Sequence, residues 1–300
     1  MAKLKYIGAD YKLEKPVEET ILYEKVEPHI AVVTLNRPEV HNSLYVPDGY
    51  IELKRKVYMG VDDDDVKVII LRGKGRSFCT GDDLHRAPVE AWTRPGQKVP
   101  QSVKMMGARG VLDANDSILY CPKTIIVEAK GLLVGNGIMF VYFADLVVAA
   151  ESAIFSHAEQ RIRFAGFGPF PTIIPMLHMG PKRFREMMLT GQRYTAAQAK
   201  EWGIVNAVVP DDKLEEETMR WAKAVALHST DGLMIGKLFQ NLTYDLVGAG
   251  SATTATGITH PFFQNIVWRD DEFNWLRKKG EDGTTAGFKK REELWGELGF

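Results

Sequence analysis

Two short stretches carry the residue types that could do chemistry. They are Ser77-Phe78-Cys79-Thr80-Gly81-Asp82-Asp83-Leu84, and the run from Gly131 through Gly135-Asn136-Gly137 to Glu159. Each puts glycine in a tight turn leading towards an apolar or helical segment, where main-chain N–H groups point outwards unobstructed. Two such donors aimed at one oxygen form an oxyanion hole, which stabilises an enolate or a tetrahedral intermediate. The second stretch also brings a carboxylate, Glu159, placed to move protons beside that oxygen. A thioester carbonyl is the group this combination suits. His157, two residues earlier, reads either as a structural hydrogen-bond partner at a strand end or as a residue lining the substrate. Asp82 and Asp83 have no third ligand at suitable spacing, so no metal is expected.

Alternating β and α patterns must position these stretches. Residues 21–26 and 29–35 read as a hairpin turned at Glu27-Pro28. From Asp48 to about Met59 the apolar residues Tyr50, Leu53 and Val57 recur at helical spacing. Strands are predicted at 66–71, 124–129, 145–150, 153–155 and 204–209. Helices are predicted at 111–119, 138–144 and 196–202, in pieces between Met176 and Met188, and from Asp212 to about His228. The recurrence of β–turn–α units predicts an α/β fold of stacked repeats. Its core spans 1–210, including a polar arm at 1–20, and an α-helical region with a Gly/Thr-rich break at 248–257 spans 211–300.

Composition excludes several classes. Lys and Arg number 38 against 39 Asp and Glu, a net charge of −1, so no global field attracts nucleic acid or an anionic membrane. The most apolar window, Ile138 to Ile154, is interrupted by Asp145 and Glu151 and reads as a buried helix and strand rather than a membrane span. The charged first twenty residues argue against a secretory signal. Cys79 and Cys121 lack metal-ligand spacing and are too few for a disulfide framework; reduced thiols of a cytoplasmic protein are expected.

The chain resembles the crotonase, or enoyl-CoA hydratase/isomerase, superfamily from about Ile21 to Arg291. Leu35-Asn36-Arg37-Pro38 with His41-Asn42-Ser43-Leu44 is similar to the family's opening "LNRP…NAL". Residues 77–84 are similar to its "FCAGADL" loop, and Gly131 to Gly137 to its "GxxxGGG" turn. Ala144-Asp145-Leu146, Leu189-Thr190-Gly191, Ala196-Ala197 and Gly203-Ile204-Val205 follow in the family's order. The resemblance implies a spiral of ββα units whose C-terminal helices support a homo-trimer or hexamer. It also implies an acyl-CoA substrate, with coenzyme A as part of the substrate and no separate cofactor.

Carried onto this chain, the resemblance makes the N–H groups of Asp82 and Asn136 the oxyanion donors and Glu159 the acid/base. Gly81, Asp83, Leu84, Gly135, Met139 and His157 would line the substrate. Phe288 and Lys290, in a segment similar to the family's C-terminal "F…KR", would contact CoA. Asn136 stands where the family has glycine, and its tolerance of unusual φ would preserve the donor.

A further departure falls on a carboxylate. The family's hydratases carry a glutamate two residues after the glycine turn and a second twenty further on; here these are Met139 and Glu159. A thioether neither titrates nor accepts a strong hydrogen bond, so two-carboxylate hydration fails as written. Hydratase/isomerase-type chemistry is the leading expectation, with double-bond isomerisation, which suits a single carboxylate, favoured over hydration. C–C bond or thioester hydrolysis and a catalytically silent CoA-ester-binding paralogue stand as alternatives. The segment 85–110, with Trp92, Pro95, Pro100, Met105 and Met106, is expected to shape a pocket for a bulky or cyclic acyl group.

Overall fold

Ile30 to Leu35 and Val68 to Leu71 are apolar at almost every position, the pattern of strands covered on both faces. The computed structural model describes residues 19–84, 101–162, 168, 170–263 and 266–300. The N-terminal arm up to residue 18 and Trp92, Pro95 and Pro100 lie outside the described residues.

Strands β1 (Ile21–Glu27), β2 (Ile30–Leu35), β3 (Val68–Gly73), β4 (Thr124–Ala129), β6 (Leu146–Ala150) and β9 (Ala207–Val209) form a six-stranded sheet in that order. The first pair is antiparallel and the rest are parallel, with Val32 beside Ile70 and Ile70 beside Ile126. Because side chains alternate between faces, Ile30, Val32, Val68, Ile70 and Ile126 form one apolar layer. Met219, Trp221, Ala222 and Val225 of α6 (Leu214–Ala226) cover it. The opposite layer, including Val33, Ile69, Leu71, Ile125 and Val127, joins the main core. Helices α1 (Asp48–Asp62), α2 (Gln101–Leu119) and α3 (Asn136–Phe143) contribute to that core. Each buried aliphatic or aromatic side chain contributes about 1.5–3 kcal/mol, so both layers hold the sheet.

A second sheet of three short strands runs β5 (Leu132–Val134), β7 (Ile154–Ser156), β8 (Arg193–Thr195). Phe155 stacks on Tyr194 across it, ring centroids 5.7 Å apart. Single bridges continue its edge from Leu133 to Cys79 and from Asp82 to Leu44. Successive turns of the chain therefore stack, each passing through the large sheet and then the small edge. This is the expected α/β spiral with helices after it: α7 (Thr230–Leu246), α8 (Ala249–Phe263), α9 (Trp275–Asp282) and α10 (Thr284–Gly296).

Three expectations need correction. The 248–257 stretch is not a break: Gly248, at φ 91°, separates α7 from α8, and the Ala/Thr run that follows is helical. That run packs on α2, with Gly257 close to Leu112, and tertiary contact overrides its weak propensity. The helix predicted at 111–119 starts earlier, at Gln101, which places Met105 and Met106 on α2. The strand predicted at 204–209 is confined to Ala207–Val209. The pieces around Gly180 are as expected: α4 (Ile173–Thr190) is broken at that glycine, φ 76° and ψ 160°. Among the described residues, no helix is long and apolar enough to cross a membrane.

Candidate active site

The first glycine turn is held by the opening segment. Asn42 donates through Nδ2 to the Lys74 and Ser77 carbonyls at 2.9 and 2.8 Å, and accepts the Arg37 N–H at 2.8 Å. Arg37 Nη2 binds Asp83 Oδ2 at 3.0 Å, with both residues buried. Main-chain bonds from Leu44 N to the Gly81 carbonyl (2.8 Å) and from Asp83 N to the Leu44 carbonyl (2.9 Å) clamp both sides of Asp82. Asp83, expected at the substrate, thus has its carboxylate committed to Arg37. Leu84 offers its carbonyl to Lys279 Nζ at 3.0 Å, tying α9 to the end of the loop.

The second turn sits against the first. Val134 N donates to the Cys79 carbonyl at 3.0 Å, and Gly135 N to the Ser156 carbonyl at 3.2 Å. A side chain on Gly137 would overlap the Cys79 carbonyl oxygen, so only glycine lets the start of α3 approach the first turn. A Cβ on Gly81 would lie 2.8 Å from Asn136 N, and its φ of 76° already favours glycine. All eight residues of α3 are buried, as their apolar composition requires. Asn136 is the first residue of α3, and the positive φ (57°) falls on Gly135 before it. The donor is preserved by helix geometry, rather than by Asn's tolerance of unusual φ.

Two N–H groups meet where the turns touch. Asp82 N has no hydrogen-bond partner among the described residues. Asn136 N, at the helix start, has none within α3 and none elsewhere among the described residues. The positive end of the α3 dipole adds to their field. The Asn136 side chain is turned away into a reciprocal amide pair with Asn115 of α2, at 3.0 and 3.1 Å.

Glu159 reaches the same place from a 3-10 turn at Ala158–Arg161. A Cβ on Gly135 would lie 3.6 Å from Gly81 Cα and 3.7 Å from Glu159 Oε2. That oxygen is buried without a hydrogen-bond partner among the described residues, whereas Oε1 meets His157 Nδ1 at 3.0 Å. When Glu159 acts as a base its carboxylate only accepts, and Nδ1 then donates in that bond. His157 is fully buried between Tyr142 and Phe170, its ring 5.7 and 5.2 Å from theirs. It orients Glu159. Met139 is buried, its sulfur 3.9 Å from Asn115 Nδ2.

Asp82 brings a side chain as well as an amide. Tyr50, fully buried on α1, donates its hydroxyl to Asp82 Oδ1 at 2.5 Å. Solvent reaches Asp82, yet protein crowds it from several sides. This enclosure, with Glu159 and Asp83 adding like charge, pushes its carboxyl up to about 6 against the opposing Tyr50 bond. Burial also holds the Tyr50 phenol far above its ordinary value, so it stays a donor.

Among the C-terminal residues, Phe288 packs on Trp275 at 5.2 Å, Lys290 pairs with Glu293 at 3.5 Å, and the neighbouring Arg291 is close enough for its charge to interact with Glu159. Sequence reasoning missed three supporting residues: Arg37, Tyr50 and Asn115. Tyr50 read as part of an apolar stripe, but a buried phenol needs a partner, and Asn115 is a buried amide on a core-facing helix. Among the described residues no group of three His, Cys, Asp or Glu is placed to hold a metal.

Comparison with known proteins places the fold in a family. The family model described as enoyl-CoA hydratase/isomerase matches residues 25–249. An enoyl-CoA hydratase/isomerase from Xanthobacter autotrophicus Py2 superposes with TM-score 0.80 at 26% identity, over 92% of this chain and 98% of its own. An enoyl-CoA hydratase from Mycobacterium smegmatis gives 0.80 at 26%, over 93% and 94%. A probable enoyl-CoA hydratase from the same organism gives 0.72 at 29%, over 81% and 93%. With a fold, a pair of converging turns and a family match over most of its length, the chain belongs to the enoyl-CoA hydratase/isomerase, or crotonase, family.

Proposed function

We propose that the protein binds an acyl-CoA thioester, holds its carbonyl oxygen between the N–H groups of Asp82 and Asn136, and shifts a carbon–carbon double bond through the enolate. The observation that carries this reading is Glu159 Oε2, buried, beside both glycine turns and without a partner among the described residues, while the family's other glutamate position is an inert Met139. Removing a proton α to the thioester leaves charge on the carbonyl oxygen, where two preorganised donors are worth several kcal/mol. The intact donors disfavour a silent paralogue. Glu159→Gln keeps the shape and removes the base; interconversion of 3-enoyl- and 2-enoyl-CoA should fall about 10²–10⁴-fold with unchanged thermal unfolding. Turnover at the wild-type rate would refute the assignment.

A homo-oligomer, trimer or hexamer, accompanies this reading. Ile235, Leu238, Phe239, Leu242 and Leu246 are exposed along one stripe of α7, an apolar face that a monomer would leave in water. Phe239→Glu should lower the mass measured by light scattering; an unchanged mass would show that α7 is not an interface. Phe288 and Lys290 remain proposed CoA contacts.

A further inference from the structure

Glu159 alone would have to remove a proton at one carbon and return it at another. The site holds a second carboxyl that this scheme leaves idle. Asp82 stands where the family's loop has alanine, so its side chain is an addition to the usual turn. Its Oδ1 is fixed by Tyr50 at 2.5 Å, and Oδ2 has no hydrogen-bond partner among the described residues. The same residue offers its N–H to the thioester oxygen, so its carboxyl cannot be far from the acyl carbons. Tyr50 itself is clamped, fully buried with its ring 6.4 Å from that of Phe140 on α3. A buried tyrosine committed to one exposed carboxylate is a device for aiming it.

We infer that the Asp82 carboxyl, aimed by Tyr50, is the second proton-transfer group of the site and does the work that Met139 cannot. The inference rests on the proposed enolate chemistry and divides its proton transfers between two groups. For a 3-enoyl thioester, the Glu159 carboxylate takes a C2 proton and that C–H bond breaks. The electron pair spreads over C2, C4 and the thioester oxygen held by the two amides. The Asp82 O–H bond then breaks as a C4–H bond forms, leaving the C2=C3 double bond. Glu159 ends protonated and Asp82 ionised, and exchange of each with water resets the pair.

Groups facing Asp82 support the role. Tyr50 approaches from α1, Cys79 and Asp83 from its own loop, and Glu159 from the 3-10 turn. Asp83 is neutralised by Arg37, so Glu159 is the main like charge. A carboxyl raised to about 6 by enclosure is partly protonated near neutral pH, as an efficient general acid requires. The limb that depends on it falls as pH rises through about 6. The Tyr50 bond favours the ionised form, so Tyr50→Phe should move that limb to higher pH.

The test measures 3-hexenoyl-CoA isomerisation in ordinary and heavy water with wild type, Asp82→Ala, Asp82→Asn and Glu159→Gln. Asp82→Ala restores the residue of the family's loop and keeps the backbone donor; Asp82→Asn is the isosteric check if alanine perturbs folding. Both Asp82 variants are expected to lose about 10²–10⁴-fold, to lose the limb near pH 6 and, in residual turnover, to return the abstracted proton. Wild type should instead place solvent deuterium at C4. Asp82 variants within about threefold of wild type, with Glu159→Gln impaired, overturn this inference and leave the proposed function standing. If Glu159→Gln is also unimpaired, or wild type leaves both 3-hexenoyl- and 2-hexenoyl-CoA unchanged, the proposed function itself fails and takes the inference with it.

Discussion

The two glycine turns deliver the same group, one N–H each without a partner among the described residues, by opposite means. The turn at Gly81 hangs on polar side chains: Asn42 grips its carbonyls, Arg37 neutralises Asp83, and Tyr50 pins Asp82. The turn at Gly135 opens a wholly buried apolar helix, and its polar support is the amide pair of Asn136 with Asn115. One turn is therefore tunable by charge and pH, whereas the other is fixed by packing and dipole. An oxyanion hole needs rigidity from both sides, but a proton-transfer group needs an adjustable environment, and the site gives each task to a different turn.

The sharpest way to break this contrast is to remove a charge from the polar turn. Arg37→Met breaks the buried ion pair with Asp83, which should cost about 3–5 kcal/mol in denaturant unfolding; a loss below about 1 kcal/mol would mean that the ion pair does not hold the turn. A smaller effect is expected at the apolar turn. Asn115→Leu strands the Asn136 amide and should cost about 1–3 kcal/mol, with a fall in turnover whose pH profile is unaltered. A shifted profile in that variant would erase the distinction between the turns. The smallest effect concerns Asp82 and stability. Its folded carboxyl is raised from 3.8 to about 6, so wild-type stability is full below about pH 4 and declines as pH rises through 6. Asp82→Asn should melt slightly higher than wild type above pH 6 and equally below pH 4. A variant that melts lower at pH 8 would show that the ionised carboxylate stabilises the loop.

Legibility in the sequence followed the range of the interaction. The 124–129 strand and the helix starting at Asp48 were readable because apolar periodicity acts within a single element. The α8 helix was not readable, since its Ala/Thr composition specifies little until α2 covers it. At the site, Gly81, Gly135, Asn136 and Glu159 were identifiable from motif order, and the structure brings them together. Tyr50 and Asn115 escaped because nothing local marks a core-facing phenol or amide as bonded to a loop 32 or 21 residues away. His157 carried two readings in the sequence; the bond to Glu159 and the stacked rings favour the structural one.

By itself the sequence determined the alternation of strands and helices, the two turns where only glycine fits, and the loss of one carboxylate at Met139. These are properties of backbone sterics and side-chain chemistry that each residue carries wherever it sits. Only the tertiary structure decided that the two turns press together, that His157 and Tyr50 aim one carboxyl each, and that Asp83 is spent on Arg37. Such pairings depend on which chain segments the stacked spiral makes neighbours, and no local pattern encodes a distance between residues far apart in the chain.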